Sequence, residues 1–215
     1  MPRPKREWYP GAVYHVMSRG NRRLALFKDR EDYLIFLEGV WKAREKYHFK
    51  IHSLCLMSNH FHMVIETGDE ELWKIMQRIL HPYSINFNRK YHYSGHLFEK
   101  RYTARLIEDE RYFLEVSRYI HLNPVKAKMV REPLAYEYSS YLWFVNDEKS
   151  LKGEGKNNKC MDLIRGLVET NRVLGSFGNN ARDQYRMFVE GKISHAEQEL
   201  LIQKDMQEDD LWLPW

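Results

Sequence analysis

Two strand-like runs joined by two polar residues constrain this chain most. Phe49 to Met57 and His60 to Glu66 both have the residue types of strands, and Ser58-Asn59 between them has the chemistry of a tight hairpin turn. Such a hairpin is antiparallel and in fixed register, so its neighbours must pack on its faces or extend its edges. Before it, Tyr33, Phe36, Leu37, Val40, Trp41 and Arg44 recur at helical spacing and predict an amphipathic helix over 29–47. Earlier still, Ala12 to Met17 reads as a strand closed by Ser18-Arg19-Gly20-Asn21. After the hairpin, Leu72, Ile75, Met76, Ile79 and Leu80 predict a helix over 69–89, with Pro82 kinking or resetting it. A short strand over 103–107 follows, then a helix capped by Asp109 that runs to about Leu122 and is ended by Pro124. The order β-α-β-β-α-β with a final helix predicts an α+β fold. It is a ferredoxin-like split β-α-β antiparallel sheet with helices on one face.

The second strand of the hairpin opens with His60-Phe61-His62. Strand side chains alternate, so both imidazoles share one face while Phe61, Met63 and Ile65 line the other. Two adjacent imidazoles make a poor core and a good start for a divalent metal site. The spacing is not that of a helical zinc pair, and no cysteine pair accompanies it. Two neutral ligands leave positions open for phosphate oxygens and water, which suits catalytic Mg²⁺ or Mn²⁺. A chain with 10 histidines also produces such pairs by chance.

A second constellation lies at Arg118-Tyr119-Ile120-His121-Leu122-Asn123-Pro124. Tyr119 and Asn123 stand four apart, which a helix stacks on one face. Asn123 can lend an amide oxygen as a third metal ligand, and Tyr119 a hydroxyl as nucleophile. A free tyrosine titrates near roughly 10, so a metal and nearby cations are needed to favour its phenolate. Tyr112, two turns earlier, is the rival nucleophile, and His121 reads as structural.

Charge supplies the partner class. The formal net charge is +4, yet residues 1–131 hold 24 Lys+Arg against 15 Asp+Glu, while residues 132–215 hold 10 against 15. A basic front faces a polyanion. Arg19, Arg22, Arg23 and Arg101 are candidates for phosphate contacts, and Tyr91, His92, Tyr93 and His96 for stacking on unpaired bases. Two cysteines imply a reducing compartment. The basic start lacks the apolar run of a signal peptide, and no stretch reaches the roughly 18 apolar residues of a membrane span. The segment 146–159 reads as a polar linker. Short helices are expected over 160–170 and 181–190, and another from a capping box at Ser194. The acidic tail Asp205 to Asp210, followed by Leu211 to Trp215, is a candidate autoinhibitory segment.

Together these residues resemble the HUH (His-hydrophobic-His) single-tyrosine transposases, closest to the REP-associated tyrosine transposases. The resemblance rests on Tyr9 to Val16, Ser18 to Asn21, Leu56 to His62, Ser94 to Phe98 with Arg101-Tyr102, and Ser117 to Val125. Glu137 to Tyr141 continues it, so it covers about residues 5–145. Ser58 stands where many members have proline. The resemblance implies a catalytic domain over 5–131, a family-like segment and linker over 132–159, and a helical extension over 160–215. It implies cleavage and rejoining of single-stranded or hairpin DNA through a 5′-phosphotyrosine, with His60, His62 and Asn123 holding Mg²⁺ or Mn²⁺ and Tyr119, not Tyr112, attacking. In that fold the first strand lies beside the His60 strand, so His15 is expected behind the metal ligands. The implied setting is the bacterial cytoplasm, at the nucleoid. The family includes monomers and dimers that swap catalytic helices, so a homodimer stays open. Two other readings fit the same residues: a domesticated protein that binds nucleic acid without cutting, and an unrelated metal-dependent nuclease with water as nucleophile.

Overall fold

The computed structural model describes residues 7–147 and 158–191. The expected helix from Ser194, the acidic tail and most of the expected linker lie outside the described residues. Four strands, β1 (Val13–Arg19), β2 (Lys50–Leu56), β3 (His60–Glu66) and β4 (Thr103–Leu106), form one antiparallel sheet in the order β2-β3-β1-β4. The hairpin expected at Ser58-Asn59 sets β2 against β3. β1 pairs along the other edge of β3, with Arg19 opposite His60 and Met17 opposite His62.

Alternation along the strands sorts the two faces. Tyr14, Val16, Phe61, Met63 and Ile65 enter one buried cluster, together with α1 (Arg30–Tyr47) and α2 (Leu72–Lys90). Val13, Cys55 and Val64 enter a second cluster on the opposite face, against α3 (Glu110–Lys126). The two crossover helices thus share one face, and the final helix of the core covers the other. β2 changes phase at a bulge between Ile51 and Ser53, which lets Ile51 and Leu54 face the first cluster while Cys55 faces the second.

Local chemistry explains the helix boundaries. Asp29 accepts from the Asp32 N–H at 3.1 Å, and Asp32 accepts from the Asp29 N–H at 3.3 Å, a reciprocal cap for α1. Asp109 caps α3 by accepting from the Tyr112 N–H at 2.7 Å. Both internal prolines depart from expectation. Pro82 lies inside α2, which continues unbroken to Lys90. Pro82 and Arg78 are both exposed, so water can take the Arg78 carbonyl that the proline leaves without a donor. Pro124 lies inside α3, which runs on to Lys126 instead of ending near Leu122. With the helix ending one turn later, the ring disturbs only the last turn, and the Ala127 N–H still closes on the Asn123 carbonyl at 2.9 Å.

The remaining helices have no core of their own. Cys160, Ile164 and Leu167 of α5 (Lys159–Leu167) join the first cluster beside α1. Arg44 of α1 donates to the carbonyls of Gly166 and Leu167 at 2.7 and 3.1 Å. Val173 of α6 (Asn171–Gly175) and Tyr185 and Val189 of α7 (Ala181–Glu190) join the second cluster, with Tyr141 and Phe144 of α4 (Tyr141–Val145).

Candidate active site

His60 and His62 project from β3 toward α3, on the face away from Phe61. Their rings are 5.1 Å apart and perpendicular. Each is held through Nδ1. His60 Nδ1 lies 2.7 Å from Asn59 Oδ1, while the Asn59 Nδ2 donates to the Arg23 carbonyl at 3.3 Å. That fixes which end of the amide faces the ring, so His60 Nδ1 carries the proton and Nε2 keeps its lone pair. His62 Nδ1 lies 3.1 Å from His15 Nε2 on β1. With the proton on His62 Nδ1, its Nε2 is likewise left to bind. Burial and the neighbouring Arg19 charge push the His60 pKa down to about 4. Burial, then His60 and His15, hold the His62 pKa well below its ordinary value. Both rings are therefore neutral at pH 7, the form a metal requires.

Tyr119 reaches this pair from α3. Its ring is 5.5 Å from the His62 ring and 6.1 Å from the His15 ring, edge-on to both. Tyr112 instead packs under Arg105, at 5.0 Å, with Asp109 capping its backbone. Asn123 is buried and donates Nδ2 to the Tyr119 carbonyl at 3.0 Å, which leaves Oδ1 as its acceptor. Because α3 continues past Pro124, Lys126 comes round two turns after Tyr119 and places its Nζ 4.9 Å from the Tyr119 ring centre. Lys126 is exposed overall, yet desolvation and the nearby Arg118 hold its pKa below that of an ordinary lysine. The expectation of a helix ending at Leu122 hid this cation. Asn59, expected only in the turn, also anchors the His60 ring, and its place next to His60 is the signal for that role.

The donor set fits a divalent metal. Two imidazole nitrogens and an amide oxygen are neutral donors, and Tyr119 links them, with its ring beside His62 and its backbone carbonyl held by Asn123. Among the described residues no cluster of three or more His, Cys, Asp or Glu side chains could hold a metal ion. A site here therefore needs an amide or outside oxygens to complete it, as a phosphate-binding centre does.

The basic loops converge on the His60 end of the sheet. The Gly20 N–H donates to the Asn59 carbonyl, the Asn21 N–H to the Leu97 carbonyl, and the Glu99 N–H to the Arg19 carbonyl, at 2.7–3.0 Å. These bonds bring together the segments carrying Arg19, Arg22, Arg23, His96 and Arg101. Arg22, Arg23, His96 and Arg101 are exposed. Arg19 is paired with Glu99 at 2.7 Å, and the two line a shallow groove with Ser18, Lys100 and Arg101. The expected stacking cluster is only partly accessible. The Tyr91 hydroxyl bonds Asp29 and Asp32, and its ring lies under Lys28 and near Lys90. Tyr93 is half-buried beside Phe87, while His92 and His96 remain exposed.

No helix among the described residues is long and apolar enough to cross a membrane. No curated protein sequence matches the chain. Among solved structures, a REP-associated tyrosine transposase bound to a REP hairpin is similar at 18% identity and a TM-score of 0.59, over 67% of this chain and 86% of that one. At that identity the likeness shows a shared fold. A protein from Deinococcus radiodurans described as a transposase aligns at 14% identity over 55% of this chain and 95% of that one, with a TM-score of 0.38. The model of one family, described as IS200-like transposase, matches residues 9–123, from just before β1 to Asn123 on α3. That span takes in the whole sheet and every side chain facing Tyr119 from it, and on this match the chain belongs to the IS200-like transposase family.

Proposed function

We propose that this transposase-family protein cleaves and rejoins single-stranded, hairpin-ended DNA through a covalent 5′-phosphotyrosine at Tyr119, in DNA transposition. The observation that carries the reading is the meeting of Tyr119 with the histidine pair. The Tyr119 ring on α3 stands 5.5 Å from the His62 ring, which has the His60 ring 5.1 Å away on the same strand, and each imidazole of the pair is neutral with Nδ1 in a hydrogen bond. His60, His62 and Asn123 would hold Mg²⁺ or Mn²⁺. Such an ion, when bound, supplies positive charge to the scissile phosphate.

The chain's own residues do the rest. The Tyr119 oxygen attacks phosphorus in line, its O–H proton is released, and a new O–P bond forms. The P–O3′ bond breaks with its electron pair on O3′, which takes up a proton from water in place of the one Tyr119 gave up and leaves as a free 3′-hydroxyl. The reverse attack by a 3′-hydroxyl releases Tyr119 and rejoins a strand, so no external energy source is consumed. Lys126 beside the Tyr119 ring favours negative charge on the phenol oxygen. Arg22, Arg23 and Arg101 fix the backbone through phosphates, and His96 extends the same surface. Positioning and charge stabilisation supply most of the rate, as in other phosphoryl transfers.

The test is incubation of the full chain with a labelled hairpin oligonucleotide carrying unpaired flanks, with Mg²⁺ or Mn²⁺. A denaturation-resistant DNA adduct is expected, absent in Tyr119→Phe and lost on chelation. An adduct that survives Tyr119→Phe refutes the nucleophile. Tight binding without any adduct would favour a non-cleaving protein, and cleavage without an adduct would favour water as nucleophile.

A further inference from the structure

Ser117 and His121 lie two residues either side of Tyr119, so they project from the opposite side of α3. There they enter a polar chain sealed inside the second apolar cluster. His121 Nδ1 lies 2.7 Å from the Tyr185 hydroxyl on α7, and that oxygen is 2.8 Å from Ser117 Oγ. His121 Nε2 lies 2.8 Å from Ser140 Oγ, just before α4. Ser140 Oγ is 3.0 Å from the Leu54 nitrogen and 3.2 Å from the Leu54 carbonyl on β2. Ser117, His121, Ser140 and Tyr185 are all 0% exposed.

The donors and acceptors match throughout in either direction. The Leu54 N–H donates to Ser140 in both, and the Leu54 carbonyl accepts from the Ser140 N–H at 2.9 Å. With the Ser140 O–H turned to His121 Nε2, the His121 Nδ1–H donates to the Tyr185 oxygen and the Tyr185 O–H to Ser117. With it turned to the Leu54 carbonyl, Ser140 accepts from His121, which carries its proton on Nε2. Nδ1 is then left to accept from the Tyr185 O–H, and the Ser117 O–H donates to the Tyr185 oxygen. Every polar group in the chain is matched. Both directions use a neutral imidazole, and burial pushes the His121 pKa to about 3.

We propose that Tyr185, Ser140 and His121 are positioning residues for the reaction at Tyr119, through a hydrogen-bond chain that sets the rotation of α3 over the histidine pair. This rests on Tyr119 being the nucleophile. The physical reason is directionality. Apolar side chains repack around a slightly rotated helix, whereas hydrogen bonds weaken steeply when bent. A rotation of about 10° moves a tyrosine hydroxyl, roughly 8 Å from the helix axis, by about 1.4 Å. A displacement of about 1 Å can cost about 100-fold in rate. Two of the three residues lie beyond residue 123, where the family match ends. The helices after the core therefore act as part of the catalytic unit.

The experiment compares Tyr185→Phe with Val189→Ala in the full chain. Val189 is also on α7 and 1% exposed, but it touches no member of the polar chain by hydrogen bond. The readouts are the single-turnover rate of adduct formation at saturating hairpin with Mn²⁺, the hairpin concentration giving half that rate, and the melting temperature. Tyr185→Phe is expected to slow the saturated rate about 10- to 100-fold with half-saturation unchanged. Val189→Ala is expected to lower the melting temperature and keep the rate. Should Tyr185→Phe fail to fold, Ser117→Ala removes only the outermost hydroxyl and should slow the rate in the same direction. A wild-type rate in Tyr185→Phe, or losses in both α7 variants that track melting temperature, overturns the proposal. If Tyr119→Phe still forms the adduct, the nucleophile reading fails and takes the proposal with it; a dead Tyr119→Phe beside a fully active Tyr185→Phe refutes the positioning role alone.

Discussion

Replacing His15 by Phe keeps a ring beside Tyr119 and His62 but removes the nitrogen 3.1 Å from His62 Nδ1. His62 is 1% exposed, so no water can take over that bond. A buried polar group stripped of its partner costs about 1–3 kcal/mol. For a chain of this size each kcal/mol is worth roughly 2–4 °C, so the metal-free protein should melt about 2–12 °C lower. A second effect falls on the ligand. Without His15, the proton of His62 is free to sit on Nε2, the atom proposed to bind the ion. Loss of such an orienting partner typically weakens metal affinity about 10- to 100-fold. Calorimetric titration with Mn²⁺ in the absence of DNA measures this directly, and melting curves of the metal-free protein measure the first effect. His15→Gln, whose amide oxygen can accept from Nδ1, should recover much of both. Unchanged Mn²⁺ affinity in His15→Phe, with the expected fall in melting temperature, would refute the orienting role and leave His15 a packing residue.

Three further outcomes follow from the geometry. His121 has a folded pKa of about 3 against an ordinary 6.5, so the unfolded chain binds the extra proton as pH falls below 6.5. Stability from this group is complete above that pH and is lost toward pH 3. His60 and His62, also depressed, lose stability in the same window, so the His121 share is read against His121→Gln: between about pH 7 and about pH 5 urea unfolding of the wild type should lose up to roughly 2 kcal/mol more than the variant; equal losses would contradict a buried neutral His121. In Gly20→Ala the new Cβ would stand 2.1 Å from the Leu24 carbonyl oxygen, so the loop bearing Arg22 and Arg23 must move. Hairpin affinity should fall several-fold with a destabilisation of about 1–3 kcal/mol, read by filter binding and melting, and an unaltered affinity would detach this loop from DNA contact. Arg22→Ala and Arg23→Ala, both exposed, should leave melting unchanged and each reduce the slope of log affinity against log salt by about 1, whereas Arg19→Ala should reduce it less because Arg19 already holds Glu99.

The sequence is most legible where period and chemistry agree. Alternation in β3 places His60 and His62 opposite Phe61 and Met63, and Asp29 and Asp109 mark helix starts through their own caps. The prolines are less legible, because whether a proline breaks a helix depends on what else can satisfy the carbonyl it strands. Pro82 sits on an exposed stripe and Pro124 in a last turn, and both are tolerated. That misreading cost the site Lys126. The aromatic loop misled for a different reason. Tyr91 looks available in the sequence, but its partners Asp29 and Asp32 lie about sixty residues away and occupy its hydroxyl. Long-range partnership of this kind has no local signature. The same holds for His121, whose structural role is legible as a helix residue facing away from Tyr119, while its partners Ser140 and Tyr185 are not.

The split of the site between two kinds of element has a mechanical consequence. The proposed ligands His60 and His62 stand on a central strand paired on both edges, held by β1 and β2, so their spacing is nearly invariant. Tyr119 and Asn123 stand on a helix that meets the sheet through side chains alone, and a helix on an apolar bed has rotational freedom that a strand in a ladder lacks. Precision at the site is then limited by α3, not by the sheet. Substitutions that loosen β2 or β4 should be felt as stability, whereas substitutions that break the hydrogen bonds holding α3 should be felt as rate. The buried polar chain lies where the second kind of control is needed, between α3, β2 and α7, and on the side of the helix where it does not crowd the DNA.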